Sequence, residues 1–70
     1  MNSNEMKAVM KREGDTQKEL AEALGLPVSG VNARINGSVD FRASEIGIVK
    51  RRYKLSSEET EAIFFKESAS

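Results

Sequence analysis

Residues 16–37, T-Q-K-E-L-A-E-A-L-G-L-P-V-S-G-V-N-A-R-I-N-G, constrain this chain more than any other stretch. Leu20, Ala21 and Leu24 recur at helical spacing, as do Val31 and Ile35, and only a few residues around Gly25 separate the two sets. So short a link forces two helices of two to three turns into a steep crossing with close contact. Close contact demands a small residue, and Ala21 supplies it, while Leu20, Leu24, Val31 and Ile35 lock the pair. With Val31 and Ile35 turned inward, helical geometry sends Val28, Ser29, Asn32, Ala33 and Asn36 to the outer surface. That face is small, uncharged and flat. It is poorly suited to solubility and well suited to a major groove, where bulky side chains would hold the helix off the bases.

The rest of the chain reads as further short helices, with no period-two alternation long enough for a sheet. A first helix is predicted from Asn4 to Glu13, with Met6, Val9 and Met10 on one face and Gly14 as its stop. Thr16 and Glu19 form a capping-box pattern that opens the second helix, and Gly25 is placed to close it in the left-handed conformation. The third runs from Val28 to Asn36 and is closed by Gly37. Residues 38–41 form a loop from which Phe41 plugs the core. A fourth helix covers Ala43 to Tyr53 and buries Ile46, Val49 and Tyr53. Ser56 to Glu59 form a second capping-box pattern, opening a last helix through Phe65. Ile48 and Phe65 fall beside the buried stripes, as core edge or as interface. One domain over residues 1–66 follows, with residues 67–70 as a frayed tail.

Seventy residues suffice for one domain with a thin core, and a stability of about 3–5 kcal/mol is the expectation at this size. The chain has no cysteine and no histidine. Disulfides are therefore excluded, a zinc site would need carboxylates alone, and the usual nucleophile–base pairs of covalent catalysis are missing. The reading is no enzyme, no metal, no cofactor and no small-molecule substrate. No apolar stretch is long enough to span a bilayer, and Met1-Asn2-Ser3-Asn4-Glu5 lacks the marks of a secretory signal, so a cytosolic protein is expected.

Net charge is zero, but it is unevenly spread. Residues 1–54 hold ten Lys/Arg against seven Asp/Glu, and residues 55–70 hold one Lys against four Glu. An acidic end thus cancels a modestly basic body, a distribution that permits DNA binding without proving it. The run Lys50-Arg51-Arg52 with Lys54 reads as a solvated face or as a partner for the acidic end.

Residues 16–37 resemble the helix-turn-helix of the lambdoid phage repressors and Cro proteins, the XRE family. The correspondence is ungapped and includes Gln17, Ala21, Gly25, Val31 and the closing Asn36-Gly37. Phe41-Arg42-Ala43-Ser44-Glu45-Ile46 and Ile63-Phe64-Phe65 are similar to short Cro-like regulators of Gram-positive temperate phages, among them the modulator-of-repression type. The resemblance implies an all-α, compact five-helix bundle, a lambda-repressor-like DNA-binding domain whose helices 2 and 3 form the helix-turn-helix.

It also implies roles at a double-stranded DNA operator. Gln17, at the start of the second helix, would hold a phosphate with the helix N-terminus. Val28, Ser29, Asn32 and Ala33 take the base-reading positions: Asn32 suits adenine, Ser29 several bases, and Val28 and Ala33 thymine methyl groups. Asn36 matches a phosphate-contacting position, and Arg42 lies near a loop whose amides would clamp the same strand. Arg34, on the flank of the third helix, either reaches a phosphate or covers core residues. The chain departs from the family at Pro27 and Val28, where polar residues are frequent, and at Ala33, where a long side chain is. The reader face therefore has little hydrogen-bonding capacity.

The function implied is a phage-type transcriptional regulator in the bacterial host cytosol, with a homodimer through surplus apolar residues of the last helix as its candidate assembly. The alternative is a protein-binding modulator, an antirepressor that complexes a phage repressor with weak or shared DNA contact. Zero net charge, the acidic C-terminal stretch and the sparse reader face motivate it.

Overall fold

Asn2 starts the first helix by accepting the Glu5 N–H on its side-chain oxygen at 3.2 Å. The computed structural model describes residues 1–65, and the frayed tail expected at 67–70 lies outside them. The helices are α1 (Ser3–Glu13), α2 (Gln17–Leu24), α3 (Val28–Ile35), α4 (Ala43–Arg52) and α5 (Ser57–Thr60), the last continuing into a wide π-helical stretch, Glu61–Phe65. Among the described residues there is no strand. The fold is an all-helical five-helix bundle, as the sequence predicts.

Its centre is built from Met6, Leu20, Val31, Ile35, Val49 and Ile63, all fully buried, so every helical segment contributes to one core. Val9, Met10, Ala21 and Tyr53 complete it as the helical spacing requires. Leu55, between α4 and α5, is also buried, a position the periodicity does not flag because it lies in no helix. Ile46, expected inside, is half-buried. Phe41 does pack against the core, meeting Phe64 edge-on with ring centroids 5.3 Å apart.

The link between α2 and α3 is tight because Gly25 takes φ +68°, a left-handed conformation that costs glycine nothing. There the Gly25 N–H donates to the Glu22 carbonyl and the Leu26 N–H to that of Ala21, consuming two carbonyls the helix end would otherwise orphan. α1 and α3 close the same way. At the end of α4 the left-handed position is held by Lys54, the one non-glycine with positive φ among the described residues.

Two local expectations are corrected. At Thr16 only half of the capping box forms: its hydroxyl accepts the Glu19 N–H at 3.1 Å and donates to the Glu19 carboxylate at 3.0 Å. The hydroxyl thus occupies the Glu19 carboxylate locally. The second box is complete, with Ser56 accepting from Glu19's counterpart Glu59 at 3.0 Å and the Glu59 carboxylate accepting the Ser56 N–H at 3.1 Å. The last helix does not run regularly to Phe65; it widens after Thr60. Thr60 turns its hydroxyl back to the Ser56 carbonyl at 2.8 Å, the kind of side-chain bond that bends a helix. Beyond it, the Ile63 carbonyl accepts the Asn2 N–H at 2.8 Å, which ties this stretch to the start of α1.

Candidate nucleic-acid interface

The solvent-facing side of α3 follows from its buried side. Val31 and Ile35 are fully enclosed, so Ser29 and Asn32 emerge exposed, with Ala33 half-buried beside them, while Val28 lies on the stripe of Ile35 and is exposed as the first residue of the helix. Val28 is 44% exposed although it is apolar. Asn36 is the exposed C-cap of the helix, and Gly37, at φ +84°, turns the chain into the loop leading to α4. Gln17 is the first residue of α2 and half-buried; Arg42 is the exposed residue that precedes α4. Five of the eight site residues named from sequence therefore share the open side of α3 and its end. Gln17 and Arg42 stand at the N-terminal ends of the helices before and after it.

Arg34 does not join them. It is 8% exposed, and its guanidinium is consumed inside the protein. Nε meets Glu45 Oε1 at 2.9 Å, Nη2 meets Oε2 at 3.4 Å, and Nη1 donates to the Gly30 carbonyl at 3.0 Å. Of the two roles open to Arg34 in the sequence, covering the core is the one its geometry supports. Glu45 also accepts the Arg42 N–H at 2.9 Å, so one carboxylate ties the middle of α3 to the first turn of α4. Burial pushes the Glu45 carboxyl up, but the Arg42 amide and the Arg34 guanidinium outweigh it and hold it below its ordinary value. The Ser3 hydroxyl donates to the Ile35 carbonyl at 2.5 Å, so α1 fixes the far end of α3.

These supports were not read from the sequence, though two signals were there. Glu45 stands three residues after Arg42, the spacing at which an acidic side chain reaches back to a helix start. Gly30 lies inside a helix with an arginine one turn on, the spacing at which that side chain reaches the Gly30 carbonyl.

Another missed cluster braces the turn before α2. Asp15 receives Arg52 Nη2 at 2.8 Å and Nε at 2.9 Å, and the Tyr53 hydroxyl donates to the same carboxylate. The Arg52 bond, foremost, keeps the Asp15 carboxyl below its usual range, against the opposing effect of burial. Burial first, then the hydrogen bond to Asp15, raises the Tyr53 hydroxyl well above its ordinary value. Arg52 thus pairs with Asp15. Among the described residues, the arginine that meets the acidic C-terminal stretch is Arg12 of α1, 3.0 Å from Glu59.

Chemically, the open side of α3 offers one amide, one hydroxyl and two small apolar groups, with no charge. Among the described residues no helix is long and apolar enough to cross a membrane. No curated protein and no solved structure matches the chain. A family model described as helix-turn-helix matches residues 6–59, from within α1 to within α5. The match covers well over half of the sequence and spans the whole α2–Gly25–α3 unit, and the chain belongs to the helix-turn-helix family, a family of DNA-binding regulators and not of enzymes.

Proposed function

We propose that this protein is a sequence-specific transcriptional regulator of the phage Cro/repressor type, acting in the bacterial cytosol by inserting α3 into the major groove of an operator. The observation that carries the reading is the open side of α3: Val28, Ser29 and Asn32 are exposed on a helix fixed from behind by Arg34–Glu45 and by Ser3. A rigid helix with a flat, neutral outer face suits a groove whose information lies in base edges. Gln17, Asn36 and Arg42 are assigned to the phosphates on either side, where they set register without reading sequence.

One such domain makes a small interface, and two copies on a two-fold pair of half-sites supply the affinity. Phe65, 68% exposed, and Val39, 45% exposed, support a homodimer contact beside the last helix. A monomer by size-exclusion chromatography with light scattering at high concentration would count against it.

The test is a fluorescence-anisotropy titration against the intergenic DNA beside the gene and against scrambled DNA, at two salt concentrations. The triple change Gln17→Ala, Ser29→Ala and Asn32→Ala runs alongside. Tight, selective binding lost in the triple variant supports the regulator. Weak, unselective binding that vanishes at moderate salt points to the second reading, a modulator that complexes a phage repressor.

What favours that second reading is a groove of about 340 Å³ whose lining includes Val39, Phe41, Ile46, Phe64 and Phe65. Val39 and Phe65 are the exposed apolar residues of that lining, and a partner protein would cover them. Substitutions there that abolish regulation while leaving DNA binding intact would decide for the modulator.

A further inference from the structure

We infer that α3 reads an A·T-dominated half-site through thymine methyl groups and one adenine, with no specific reading of guanine; this rests on the regulator function proposed above. The commonest specific contact to guanine is a bidentate arginine or lysine on its O6 and N7. α3 carries one cation only, Arg34, and that side chain is committed to Glu45 and to the Gly30 carbonyl. Swinging it out would leave the Glu45 carboxylate buried without its counter-charge, which opposes any such release.

What remains on the open side is apolar or neutral. In the major groove the C5-methyl of thymine is the apolar group that a side chain can cover. Val28 is an exposed branched side chain at the start of α3, and Ala33 is a half-buried methyl one turn after Ser29. Asn32 is exposed and offers a donor and an acceptor together, the pair that matches N6 and N7 of adenine. Ser29 contacts any base and adds no discrimination. All four side chains are short, so the helix can lie deep enough for methyl contacts to form. Val28 and Asn32 are one turn apart and face the same strip of groove. The site selected should therefore place thymines around one adenine under α3.

The experiment starts with the full chain and a pool of synthetic duplexes randomised over their central base pairs. Enriched duplexes are then titrated by anisotropy after single thymine-to-uracil replacements, which delete one methyl each, and after replacement of adenine by 7-deazaadenine. These changes are made in the DNA, so folding of the protein is not at issue. A·T pairs under α3, with a loss of about fourfold for each contacted methyl, are expected. Val28→Ser should abolish the uracil penalty at its own position, and Asn32→Ala the penalty of 7-deazaadenine. An enriched site with an obligatory G·C pair under α3, sensitive to 7-deazaguanine, overturns the inference while leaving the regulator function standing. Uracil replacements that are silent at every position overturn it equally. A pool with no enrichment at all removes the regulator reading itself, and this inference with it.

Discussion

Arg34 and Glu45 face each other in an ion pair whose side chains are only 10% and 8% exposed, joining the middle of α3 to the first turn of α4. Removing one partner of a buried pair costs about 3–5 kcal/mol, because the other charge stays buried alone. That is comparable to the whole stability of about 3–5 kcal/mol that a domain of this size commands. Arg34→Met should therefore leave a large fraction of the protein unfolded at 25 °C, by circular dichroism in urea. The double change Arg34→Met with Glu45→Gln removes both charges and keeps an acceptor for the Arg42 N–H. It should recover at least half of the lost stability. A double variant as unstable as the sum of its parts would mean that the pair does not act as a unit.

Three carboxyls, Asp15, Glu45 and Glu59, lie below their ordinary values in the folded protein. A lowered value contributes stability that is complete above the unfolded value and is lost as pH falls through the folded one. Unfolding should therefore set in below about pH 4.5, where unfolded carboxyls begin to protonate. Tyr53 acts at the other end. Its raised value favours the protonated hydroxyl in the folded state, so its contribution is complete below the ordinary tyrosine value and falls as pH rises above about 10. With no histidine or cysteine in the chain, thermal midpoints should be nearly flat between about pH 5 and 9. A step near pH 6.5 would contradict this. Asp15→Asn should weaken the acid limb and the alkaline limb together, since Asp15 holds both Arg52 and Tyr53.

Most of the fold was legible in the sequence because helix periodicity and punctuation agree. Met6, Leu20, Val31, Ile35 and Val49 stand at helical spacings, and glycines close α1, α2 and α3 where the spacing stops. Ser29 and Asn32 on the open side of α3 were legible for the same reason, as the complement of Val31 and Ile35, whereas the exposure of Val28 comes from its place at the helix start. What escaped is what depends on partners distant in sequence. Whether Arg34 turns outward or inward is decided by Glu45, eleven residues away and on another helix. Asp15 meets Arg52 across a separation of 37 residues, which no local pattern encodes. The widening after Thr60 was likewise invisible: Thr60 looks like an ordinary helix residue until its hydroxyl is seen on the Ser56 carbonyl.

Arg42 is the one arginine among the eight sequence-named positions that stays exposed. As a phosphate contact it should govern salt dependence and leave selectivity alone. Arg42→Ala should lower the slope of log K against log salt by about one per half-site and weaken specific and scrambled duplexes alike. Its backbone N–H still donates to Glu45 in that variant, so folding should be preserved. A change in the preferred sequence would instead place Arg42 against base edges.

Lys54 closes α4 at φ +51°, in the position that Gly25 fills at the end of α2. Its N–H reaches the Arg51 carbonyl at 3.4 Å and the Leu55 N–H reaches that of Lys50 at 3.0 Å, the same pair of bonds as at the glycine ends. For a residue with a Cβ this conformation costs about 1–2 kcal/mol. Glycine avoids that cost but has more freedom to lose on folding. Lys54→Gly should therefore stabilise by about 1 kcal/mol, seen as a higher urea midpoint with an unchanged slope.

Gly47 and Gly30 both lie inside helices, and both should accept alanine. Each carries the helix penalty of glycine, about 0.5–1 kcal/mol relative to alanine. A Cβ on Gly47 meets no neighbouring heavy atom within 4 Å, so Gly47→Ala should gain that amount in full. A Cβ on Gly30 would lie 3.4 Å from Arg34 Nη1 and 3.6 Å from Pro27 Cγ. Both are ordinary van der Waals contacts, so the methyl packs against the guanidinium without moving it from Glu45 or from the Gly30 carbonyl. Gly30→Ala should thus gain a similar amount in urea titrations run side by side. A loss instead would show that the guanidinium, held by Glu45, has no room for a methyl beside it.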